Sequence, residues 1–309
     1  MTSPAVLAAV DWGTSNLRVW LLDEAGDVVG ERKSGEGMSS AGGKGFAAIL
    51  EEHLAALGAP EGLPAIVCGM AGARQGWVEA GYLDVPARIA DFAQAATTAP
   101  GARRPVRILP GLAQRGAEHP DVMRGEETQL AGAELAEGAH FVCMPGTHSK
   151  WVAVEDGVVT GFRTAMTGEL FHLLASHSIL RHSLGETPDA GTPKAPAFQK
   201  ALRDALANPE RLTSALFAIR AGGLLDNVPS EDAAATLSGL LIGAEIAGAK
   251  SAAPAMHVVT LVASGGMAKR YAAALGTAGL LVNLVDADDA VRKGLFEAGR
   301  RLFLSGASA

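Results

Sequence analysis

A strand–turn–strand pattern that occurs twice constrains the fold of this 309-residue chain more than any other feature. In the first copy, a Gly-Thr-Ser turn at residues 13–15 joins the apolar runs Ala5–Val10 and Leu17–Leu22, with Asp11 before it and Arg18 after it. Glycine lets backbone N–H groups approach an anion, hydroxyls add donors, and a carboxylate at a strand end binds Mg²⁺. An ordinary hairpin turn is the alternative, so the interpretation depends on the repeat.

The second copy lies in the middle of the chain. The apolar run Phe141–Met144 leads into Pro145-Gly146-Thr147-His148-Ser149-Lys150, and a second apolar run, Trp151–Val154, follows. In both copies an Asp/Gly turn and a Val-Val pair come next, and Gly13-Thr14 aligns with Gly146-Thr147. The pattern predicts an internal duplication, whereas two unrelated hairpins are the alternative. Lys150 either neutralises phosphate or is a solvent-exposed strand lysine.

The remaining hydrophobic patterns predict alternating strands and helices. In the first half the strands are Ala5–Val10, Leu17–Leu22, a run from Val28, Ala65–Cys68 and Val106–Leu109; the helices are a segment from Phe46 and Val85–Ala96; and Ser34–Gly45 and Pro110–Pro120 are loops. In the second half the helices are Glu126–Glu137, Gly168–Arg181, Ala197–Ala207, Arg211–Ala221, Glu231–Lys250 capped by Ser230, Ala268–Leu275 and Asp289–Leu304; the strands are His257–Val262 and Leu280–Val285; and Gly185–Pro196 is a loop. The first half reads β-β-β-α-β-α-β, which indicates an α/β fold with a mixed sheet flanked by helices.

Composition excludes several classes of protein. The net charge of −7 and the pI of about 5.6 disfavour a nucleic-acid or anionic-membrane partner. No apolar run reaches the ~20 residues of a membrane span, and the N-terminal run lacks a positive flank, so no signal peptide and a cytoplasmic location are expected. Cys68 and Cys143 lie within apolar runs, which predicts two core side chains. An oligomer is possible, but nothing in the sequence defines one.

A third turn, Ser264-Gly265-Gly266, follows the apolar strand that ends at Val262 and precedes a predicted helix. Two adjacent glycines at a helix N-terminus let a flat ring lie close to the backbone, which suits the nucleoside part of a nucleotide. Close packing of the strand and the helix is the alternative.

Together these turns resemble the actin/hexokinase/Hsp70 ATPase superfamily. The resemblance implies two duplicated RNase H-like (actin/hexokinase-type) domains around a central cleft: an N-terminal lobe of residues 1–120, on which the C-terminal helix 289–309 packs, and a C-terminal lobe of residues 121–288. It also implies that Asp11–Ser15 is a first phosphate loop with Arg18 close to phosphate, that Gly146-Thr147 is a second phosphate loop, and that Val262–Met267 is an adenosine motif. The second loop has Met144-Pro145 where many members have Asp, so Asp11 is the predicted metal ligand.

Longer motifs carry a narrower resemblance. The motifs are Asn16-Leu17-Arg18, Gly69-Met70-Ala71-Gly72, Gly76-Trp77, Val122–Gln129, Met144–Trp151 and Thr164–Leu170. Together they are similar to the 2-dehydro-3-deoxygalactonokinase family, which implies ATP and Mg²⁺ as cofactors and phosphorylation of 2-dehydro-3-deoxy-D-galactonate to its 6-phosphate in galactonate catabolism. The resemblance is weakest over residues 185–229. No motif distinguishes the galactonate substrate from its gluconate epimer.

The resemblance also implies roles for individual residues. A carboxylate at the place of Glu126 or Glu127 deprotonates the acceptor hydroxyl, and Glu126 is preferred; the alternative is that both glutamates only stabilise the start of a helix. Arg74, with Gln75 and Trp77, is expected to bind the sugar acid, whereas a surface arginine and a buried tryptophan are the alternatives.

Three further residues receive predicted roles at the substrate. Arg124 binds either phosphate or the sugar acid. Thr167 and Glu169 line the cleft, unless Thr167 is only an N-cap and Glu169 a first-turn acid.

Two other functions compete with a kinase. One is a non-enzymatic sugar or nucleotide sensor on the same fold, although no DNA-binding segment is visible. The other is a phosphatase or ATPase with the same phosphate loops, which the predicted sugar-side residues disfavour.

Overall fold

The computed structural model describes residues 3–116, 118–186 and 191–304. The strands are β1 (Leu7–Trp12), β2 (Leu17–Leu22), β3 (Val28–Ser34), β4 (Ala65–Gly69), β5 (Tyr82–Asp84), β6 (Ala87–Arg88), β7 (Thr97–Thr98), β8 (Val106–Ile108), β9 (Gly111–Gln114), β10 (Asp121–Met123), β11 (Ala139–Met144), β12 (Ser149–Glu155), β13 (Val158–Ala165), β14 (Val258–Val262) and β15 (Leu281–Val285). The α-helices are α1 (Met38–Ala41), α2 (Phe46–Ala56), α3 (Glu126–Gly132), α4 (Thr167–His177), α5 (Arg181–Leu184), α6 (Pro196–Ala207), α7 (Leu212–Leu225), α8 (Ser230–Ala252), α9 (Gly265–Thr277) and α10 (Ala287–Gly299). Short 3₁₀ turns cover Met70–Gly72, Ile89–Asp91 and Pro209–Arg211, and a π turn covers Arg300–Leu304.

The chain divides into two compact units. Unit 1 consists of Met1–Ala139, Ala153–Phe162 and Asp286–Ala309, and unit 2 consists of His140–Val152 and Arg163–Val285. Residues 121–139 therefore lie in unit 1, together with the C-terminal segment.

The first sheet has the strand order β3-β2-β1-β4-β8-β7. The strands β1, β2 and β3 form an antiparallel meander, and β1 pairs in parallel with β4, which pairs in parallel with β8. The residues of β4 are all buried, as expected for a strand covered on both faces.

The sheet that contains the second turn runs β15-β14-β11-β12-β13-β6. Its parallel pairs are β11 with β14 and β14 with β15. Apart from the edge strands β6 and β7, this order matches β8-β4-β1-β2-β3 strand for strand, so the predicted duplication and the RNase H-like α/β fold class are confirmed.

Helices cover both faces of the first sheet because its strands place apolar side chains on both sides. On one face Ile49 and Leu54 of α2 pack with Val10 and Val67. On the other face Val291 and Leu295 of α10 pack with Leu7 and Cys68.

Helix α10 also packs very closely on α3. A Cβ atom at Gly294 would lie 2.0 Å from the carbonyl oxygen of Thr128, and one at Gly132 would lie 1.9 Å from that of Ala290. The C-terminal helix of unit 1 therefore fixes the position of α3, which begins with the two predicted catalytic glutamates.

In unit 2, α8 and α9 pack against the central strands. Ile246 of α8 and Tyr271 and Leu275 of α9 share a buried cluster with Val259 and Leu261 of β14. The two cysteines are buried free thiols, as predicted.

Three predicted segments are wrong, and one of them, the predicted loop Ser34–Gly45, contains the short helix α1. Val85–Ala96 is not a helix but contains the strand β6, paired with Val158 and Val159, and the 3₁₀ turn Ile89–Asp91. Pro86 explains the difference, because it lacks an N–H group and disfavours a helical conformation at the preceding residue.

The predicted loop Pro110–Pro120 contains the strand β9. Its first residue, Gly111, lies against the neighbouring strands so closely that a Cβ atom would be 2.5 Å from the Met123 carbonyl oxygen. β9 pairs with β5, which lies far earlier in the chain, and with the three-residue strand β10. The local sequence pattern therefore does not predict β9.

Other predicted boundaries need correction. The helix predicted over Glu126–Glu137 ends at Gly132, and Ser230 is the first residue of α8 with Pro229 as its N-cap. Residues 187–190 of the predicted loop Gly185–Pro196, and residues 305–309 of the predicted C-terminal helix, lie outside the described residues. Across the described residues, no helix combines the length and the apolarity that a membrane span requires.

Candidate active site

The first loop is a tight turn between β1 and β2. The backbone N–H of Gly13 donates to the Asn16 carbonyl at 2.8 Å, and the side chains of Thr14 and Ser15 are exposed. The backbone N–H of Ser39, in α1, donates to the Thr14 carbonyl at 3.0 Å. At Gly37, which precedes α1, a Cβ atom would lie 2.4 Å from that same carbonyl oxygen. The residues at the start of α1 thus bond to and pack against the backbone of the loop, and a side chain at position 37 would clash with it. The side chains of Thr14 and Ser15 remain exposed.

Asp11 lies just before this loop, near the end of β1. Burial raises the pKa of its carboxyl, and the guanidinium of Arg18 opposes that rise. The Cys68 thiol donates to Asp11 Oδ1 at a long Sγ–O distance of 3.7 Å. Arg18 itself forms an ion pair with Asp288 in the first turn of α10. The structure therefore places Asp11 and Arg18 together at the first loop.

Glu126 and Glu127 begin α3 but differ in environment. Glu127 is 1% exposed, and its two oxygens accept hydrogen bonds from the Gly125 N–H at 2.7 Å and the Thr128 hydroxyl at 3.1 Å. Burial, with a smaller contribution from the Glu126 charge, raises the pKa of Glu127 to about 8. Glu126 is half-buried, accepts a hydrogen bond from the Arg124 backbone N–H at 3.1 Å, and lies near enough to raise the pKa of Asp11. The two neighbours are therefore not equivalent as proton acceptors at neutral pH.

The predicted sugar-acid residues follow the 3₁₀ turn Met70–Gly72. Arg74 and Gln75 are exposed, and Arg74 Nε is 3.6 Å from Glu79 Oε1. Trp77 is half-buried and stacks on Phe46, with ring centroids 6.1 Å apart. The packing role that the sequence left open for Trp77 thus has a partner in the structure.

Arg124 lies against the same turn. Its guanidinium donates to the Gly81 carbonyl at 2.8 Å and covers the Tyr82 ring at 4.4 Å from the ring centroid. A Cβ atom at Gly72 would lie 2.8 Å from Arg124 Nη1. The buried Nε and Nη1 atoms of Arg124 find no hydrogen-bond partner among the described residues.

The second loop joins β11 and β12 and repeats the backbone geometry of the first. The Glu169 backbone N–H, in the first turn of α4, donates to the Thr147 carbonyl at 3.0 Å. A Cβ atom at Gly168 would lie 2.4 Å from the Gly146 carbonyl oxygen. The Glu169 carboxylate contacts His148 Nε2 at 2.5 Å. Lys150 is 5% exposed, so the solvent-exposed alternative for this residue is wrong.

A cavity of about 280 Å³ opens beside the second loop. Its lining in unit 2 includes Thr147, Thr167, Phe171, Met267, Arg270 and Tyr271. Nearby in sequence, Ser264 precedes α9 in an extended conformation, while Gly265 and Gly266 are exposed and a Cβ atom at either would meet nothing within 4 Å. The start of α9 is therefore open on its outer side.

Mg²⁺ fits the chemistry of the first loop. Among residues 3–116, 118–186 and 191–304, no group of three His, Cys, Asp or Glu side chains is arranged to hold a metal ion. Mg²⁺ usually keeps several waters and takes one or two carboxylates together with substrate phosphates, so a single carboxylate such as Asp11 is sufficient as its protein ligand.

Sequence reasoning missed several polar residues of these sites. Asp288 pairs with Arg18, Thr128 bonds to Glu127, and Arg270 lines the cavity. Glu245, in α8, accepts a hydrogen bond from the Tyr271 hydroxyl. Glu245 had one available signal, because it is the only charged residue between Ala233 and Ala249 in an otherwise apolar helix.

Comparison with known proteins was consistent across sequence and structure. The model of the family described as 2-keto-3-deoxy-galactonokinase matches residues 11–298. The chain is 38% identical over 287 residues to the 2-dehydro-3-deoxygalactonokinase of Escherichia coli (strain K12), covering 93% of this chain and 95% of that one. It is 53% identical over 305 residues to a Rhizobium meliloti (strain 1021) protein assigned as 2-dehydro-3-deoxygalactonokinase DgoK1, covering 98% and 99% of the two chains. A crystal structure from Sinorhizobium meliloti, of a protein assigned to the same enzyme class, superposes with a TM-score of 0.93 at 54% identity and covers 96% of this chain and 99% of that one.

Proposed function

The chain belongs to the 2-keto-3-deoxy-galactonokinase family and is a phosphotransferase with an alcohol acceptor, and we propose that it transfers the γ-phosphate of ATP to the C6 hydroxyl of 2-dehydro-3-deoxy-D-galactonate. The family membership over nearly the whole chain is the observation that carries this proposal. Transfer of a phosphoryl group requires charge neutralisation, donors on the phosphates and a base near the acceptor hydroxyl. The residues of the two loops and of α3 supply each of these.

Glu126 is the proposed general base. A base must be ionised to accept a proton at neutral pH, and burial holds the pKa of Glu127 at about 8, which leaves Glu127 protonated there. Glu126 is half-buried at the start of α3, where the helix N-terminus favours a negative charge. In this proposal Glu126 takes the hydroxyl proton, while Glu127 holds the turn at Gly125 by accepting a hydrogen bond from the Gly125 backbone N–H.

Asp11 is the proposed ligand of Mg²⁺, which when bound neutralises charge on the nucleotide phosphates. Thr14, Ser15 and Arg18 of the first loop, and Gly146 and Thr147 of the second, would donate hydrogen bonds or positive charge to phosphate oxygens. Gly13, whose N–H bonds to the Asn16 carbonyl, would let phosphate approach the backbone closely. The backbone clamps described above support this role, because they leave Thr14 and Ser15 exposed to a ligand.

The nucleoside half of ATP is proposed to lie beside Ser264, Gly265 and Gly266, in the cavity lined by Met267 and Arg270. The open backbone at the start of α9 and the apolar lining from Phe171 suit a flat base. Thr167 and Glu169 would make polar contacts to ribose or phosphate at the end of this cavity. Thr167 lines the cavity, and the backbone N–H of Glu169 donates to the Thr147 carbonyl, which supports this placement.

The carboxylate of the sugar acid is proposed to bind at the turn that carries Arg74 and Gln75, with Trp77 packing behind the turn. The exposed guanidinium of Arg74 is accessible to a ligand, and the partnerless N–H groups of Arg124 lie directly under Gly72. A planar guanidinium recognises a carboxylate through two parallel hydrogen bonds.

The test is an ADP-release assay with ATP, Mg²⁺ and the sugar acid, run with the galactonate and gluconate epimers in parallel. A kinase of this specificity releases ADP only when the sugar acid is present, and faster with the galactonate epimer. Release of ADP without sugar would indicate an ATPase, whereas no release under any condition would indicate a sensor; either result would overturn the proposal.

A further inference from the structure

Unit 2 contains a carboxylate that the proposed chemistry does not use. Glu245, in the middle of α8, accepts a hydrogen bond from Trp151 Nε1 at 2.8 Å and another from the Tyr271 hydroxyl at 2.7 Å. The Tyr271 hydroxyl is also 3.1 Å from Ser149 Oγ. One carboxylate therefore joins β12, α8 and α9 in a single polar network.

The members of this network flank the second phosphate loop. Ser149, which is fully buried, directly follows His148 at the end of the loop. Thr167 is the first residue of α4, whose next two residues clamp the loop through the Gly168 contact and the Glu169 N–H bond. Ser149 is linked to Glu245 through the Tyr271 hydroxyl, and Thr167 is among the side chains that lower the pKa of the Glu245 carboxyl. The carboxylate thus connects the strand that leaves the loop with the helix that supports it.

A carboxylate removed from water is stable only where donors satisfy its oxygens, and a satisfied polar network of this kind fixes one arrangement of its members. Burial raises the pKa of Glu245, and the hydrogen bonds from Thr167, Tyr271, Trp151 and Ser149 oppose that rise. Removal of the carboxylate would leave these donors without their common acceptor. The strand end at Ser149 and the helix start at Thr167 would then lose the link between them.

We propose that Glu245 is a positioning residue that holds the second phosphate loop, Gly146-Thr147, in its nucleotide-binding geometry by bonding to the residues on either side of it. The inference rests on the proposed function, since that function assigns ATP to this loop. Glu245 acts through Ser149 and Thr167 and touches no reacting atom. Its removal therefore affects the use of ATP and leaves the binding of the sugar acid, which is assigned to unit 1, unchanged.

The test compares Glu245→Ala, Glu245→Gln and the control Ile246→Val, a truncation of the buried neighbour on the same helix. A misplacement of about 1 Å costs roughly 10²-fold in rate, so kcat/KM for ATP is expected to fall about 10²-fold in Glu245→Ala, while the KM for the sugar acid changes by less than about twofold. Glu245→Gln restores most of the loss, because its amide still accepts from Trp151 and can donate to the Tyr271 oxygen. Ile246→Val leaves both parameters close to wild type.

Trp151→Phe keeps the ring and removes one donor, so it gives the answer if circular dichroism shows that Glu245→Ala does not fold. Loss of one hydrogen bond to a charged group predicts a rise of about tenfold in the KM for ATP, again without a change for the sugar acid. A folded Glu245→Ala or Trp151→Phe protein with an unchanged KM for ATP, or with equal rises in both KM values, overturns the inference.

The dissociation constant of a non-hydrolysable ATP analogue separates this inference from the proposed function. If wild type binds the analogue but phosphorylates no sugar acid, the proposed function fails, and weaker binding by Glu245→Ala still supports the inference. If wild type phosphorylates the sugar acid and Glu245→Ala binds the analogue as tightly as wild type, the inference alone fails. If wild type does not bind the analogue, both fail.

Discussion

The two loops share a backbone device and differ in their side chains. Each carries a Gly-Thr pair between two strands, and in each the carbonyl of that threonine accepts a hydrogen bond of 3.0 Å from the first turn of a following helix. Each is also pressed by a glycine, Gly37 or Gly168, at which a Cβ atom would lie 2.4 Å from a loop carbonyl oxygen. The duplication has therefore kept the part that shapes the backbone.

The side chains around the loops have diverged. The first loop follows Asp11, whereas the second follows Met144, which is buried, and Pro145. The second loop is supported from behind by the Glu245 network, and its neighbour Lys150 is buried. The backbone shape is therefore common to both loops, whereas only the first loop follows a carboxylate, Asp11, which is the Mg²⁺ ligand in the proposed function.

The largest effect is expected when the residue two positions before the Gly-Thr pair is replaced in each loop. These two variants test whether the metal ligand belongs to the first loop alone. Asp11→Asn removes the proposed Mg²⁺ ligand, so kcat should fall about 10³-fold at saturating ATP and the Mg²⁺ requirement should rise. Met144→Leu changes the equivalent residue with little change in volume and should leave kcat within about twofold of wild type. Steady-state rates across a magnesium titration measure both. Similar losses in the two variants would show that the loops do not divide the work in this way.

The pH dependence of stability compares the carboxylates of the two units. The native pKa of Glu127, about 8, lies above its ordinary value of 4.5. The native state therefore binds an extra proton between these values, and the associated stability is present below pH 4.5 and is lost as the pH rises through 8. Glu127→Gln stays neutral, so from pH 5 to pH 9 wild type should lose about 4 kcal/mol of unfolding free energy relative to this variant.

Urea unfolding of both proteins at several pH values measures this difference. Glu245→Gln provides the matched carboxylate in unit 2, where burial also raises the pKa of the native carboxyl, so its difference from wild type should change with pH in the same direction. A difference between wild type and Glu127→Gln that does not change with pH would contradict the assignment of a protonated Glu127 at neutral pH.

The two clamping glycines form a symmetric pair of variants. Gly37→Ala and Gly168→Ala each force a methyl group against a loop carbonyl, so each should lower the unfolding free energy by about 2 kcal/mol and reduce kcat/KM for ATP. Gly42 and Gly248, where a Cβ atom meets nothing within 4 Å, are the matched controls for units 1 and 2. Thermal unfolding and steady-state kinetics measure these effects. If only one of the two variants, Gly37→Ala or Gly168→Ala, lowers kcat/KM for ATP, the two glycines do not have equivalent roles.

The smallest effect is expected for binding of the sugar-acid carboxylate, which is assigned to unit 1. Arg74→Ala removes the proposed partner of the sugar-acid carboxylate and should raise the KM for the sugar acid about tenfold with little change in the KM for ATP. Arg103→Ala, at another exposed arginine of the same unit, should change neither value. Unchanged kinetics in Arg74→Ala would move the carboxylate site to Arg124.

The duplicated sheets were predictable because β1 and β2 are local apolar runs and β3 begins with Val28-Val29, and β2 begins and ends at the predicted residues. The segment around Val85–Pro86 was not, because its apolar residues suit a helix while the proline and the pairing of β6 with β13 impose another structure. Strand β9 was hidden for a related reason, since it is stabilised by distant strands and by the close approach at Gly111. Non-local pairing of this kind leaves little trace in a short window of sequence.

The residues of the candidate site were also predictable only where they lie within a local motif. Motifs predicted the loops and the Glu126-Glu127 pair, but the residues that support them lie far away in the sequence. Asp288 reaches Arg18 from the C-terminal helix, and Glu245 reaches Trp151 across 94 positions. The difference between Glu126 and Glu127 is a property of burial, which the sequence of two identical adjacent residues cannot show.

In the proposed function Glu126, and not its neighbour Glu127, accepts the proton from the sugar-acid hydroxyl. The most direct measurement is kcat at pH 7 for Glu126→Gln and Glu127→Gln, each purified and shown to be folded. We expect kcat to fall about 10²–10⁴-fold in Glu126→Gln. In Glu127→Gln we expect kcat to stay within about threefold of wild type, because glutamine resembles the protonated form of Glu127. A normal rate in Glu126→Gln together with a large loss in Glu127→Gln would contradict this proposal.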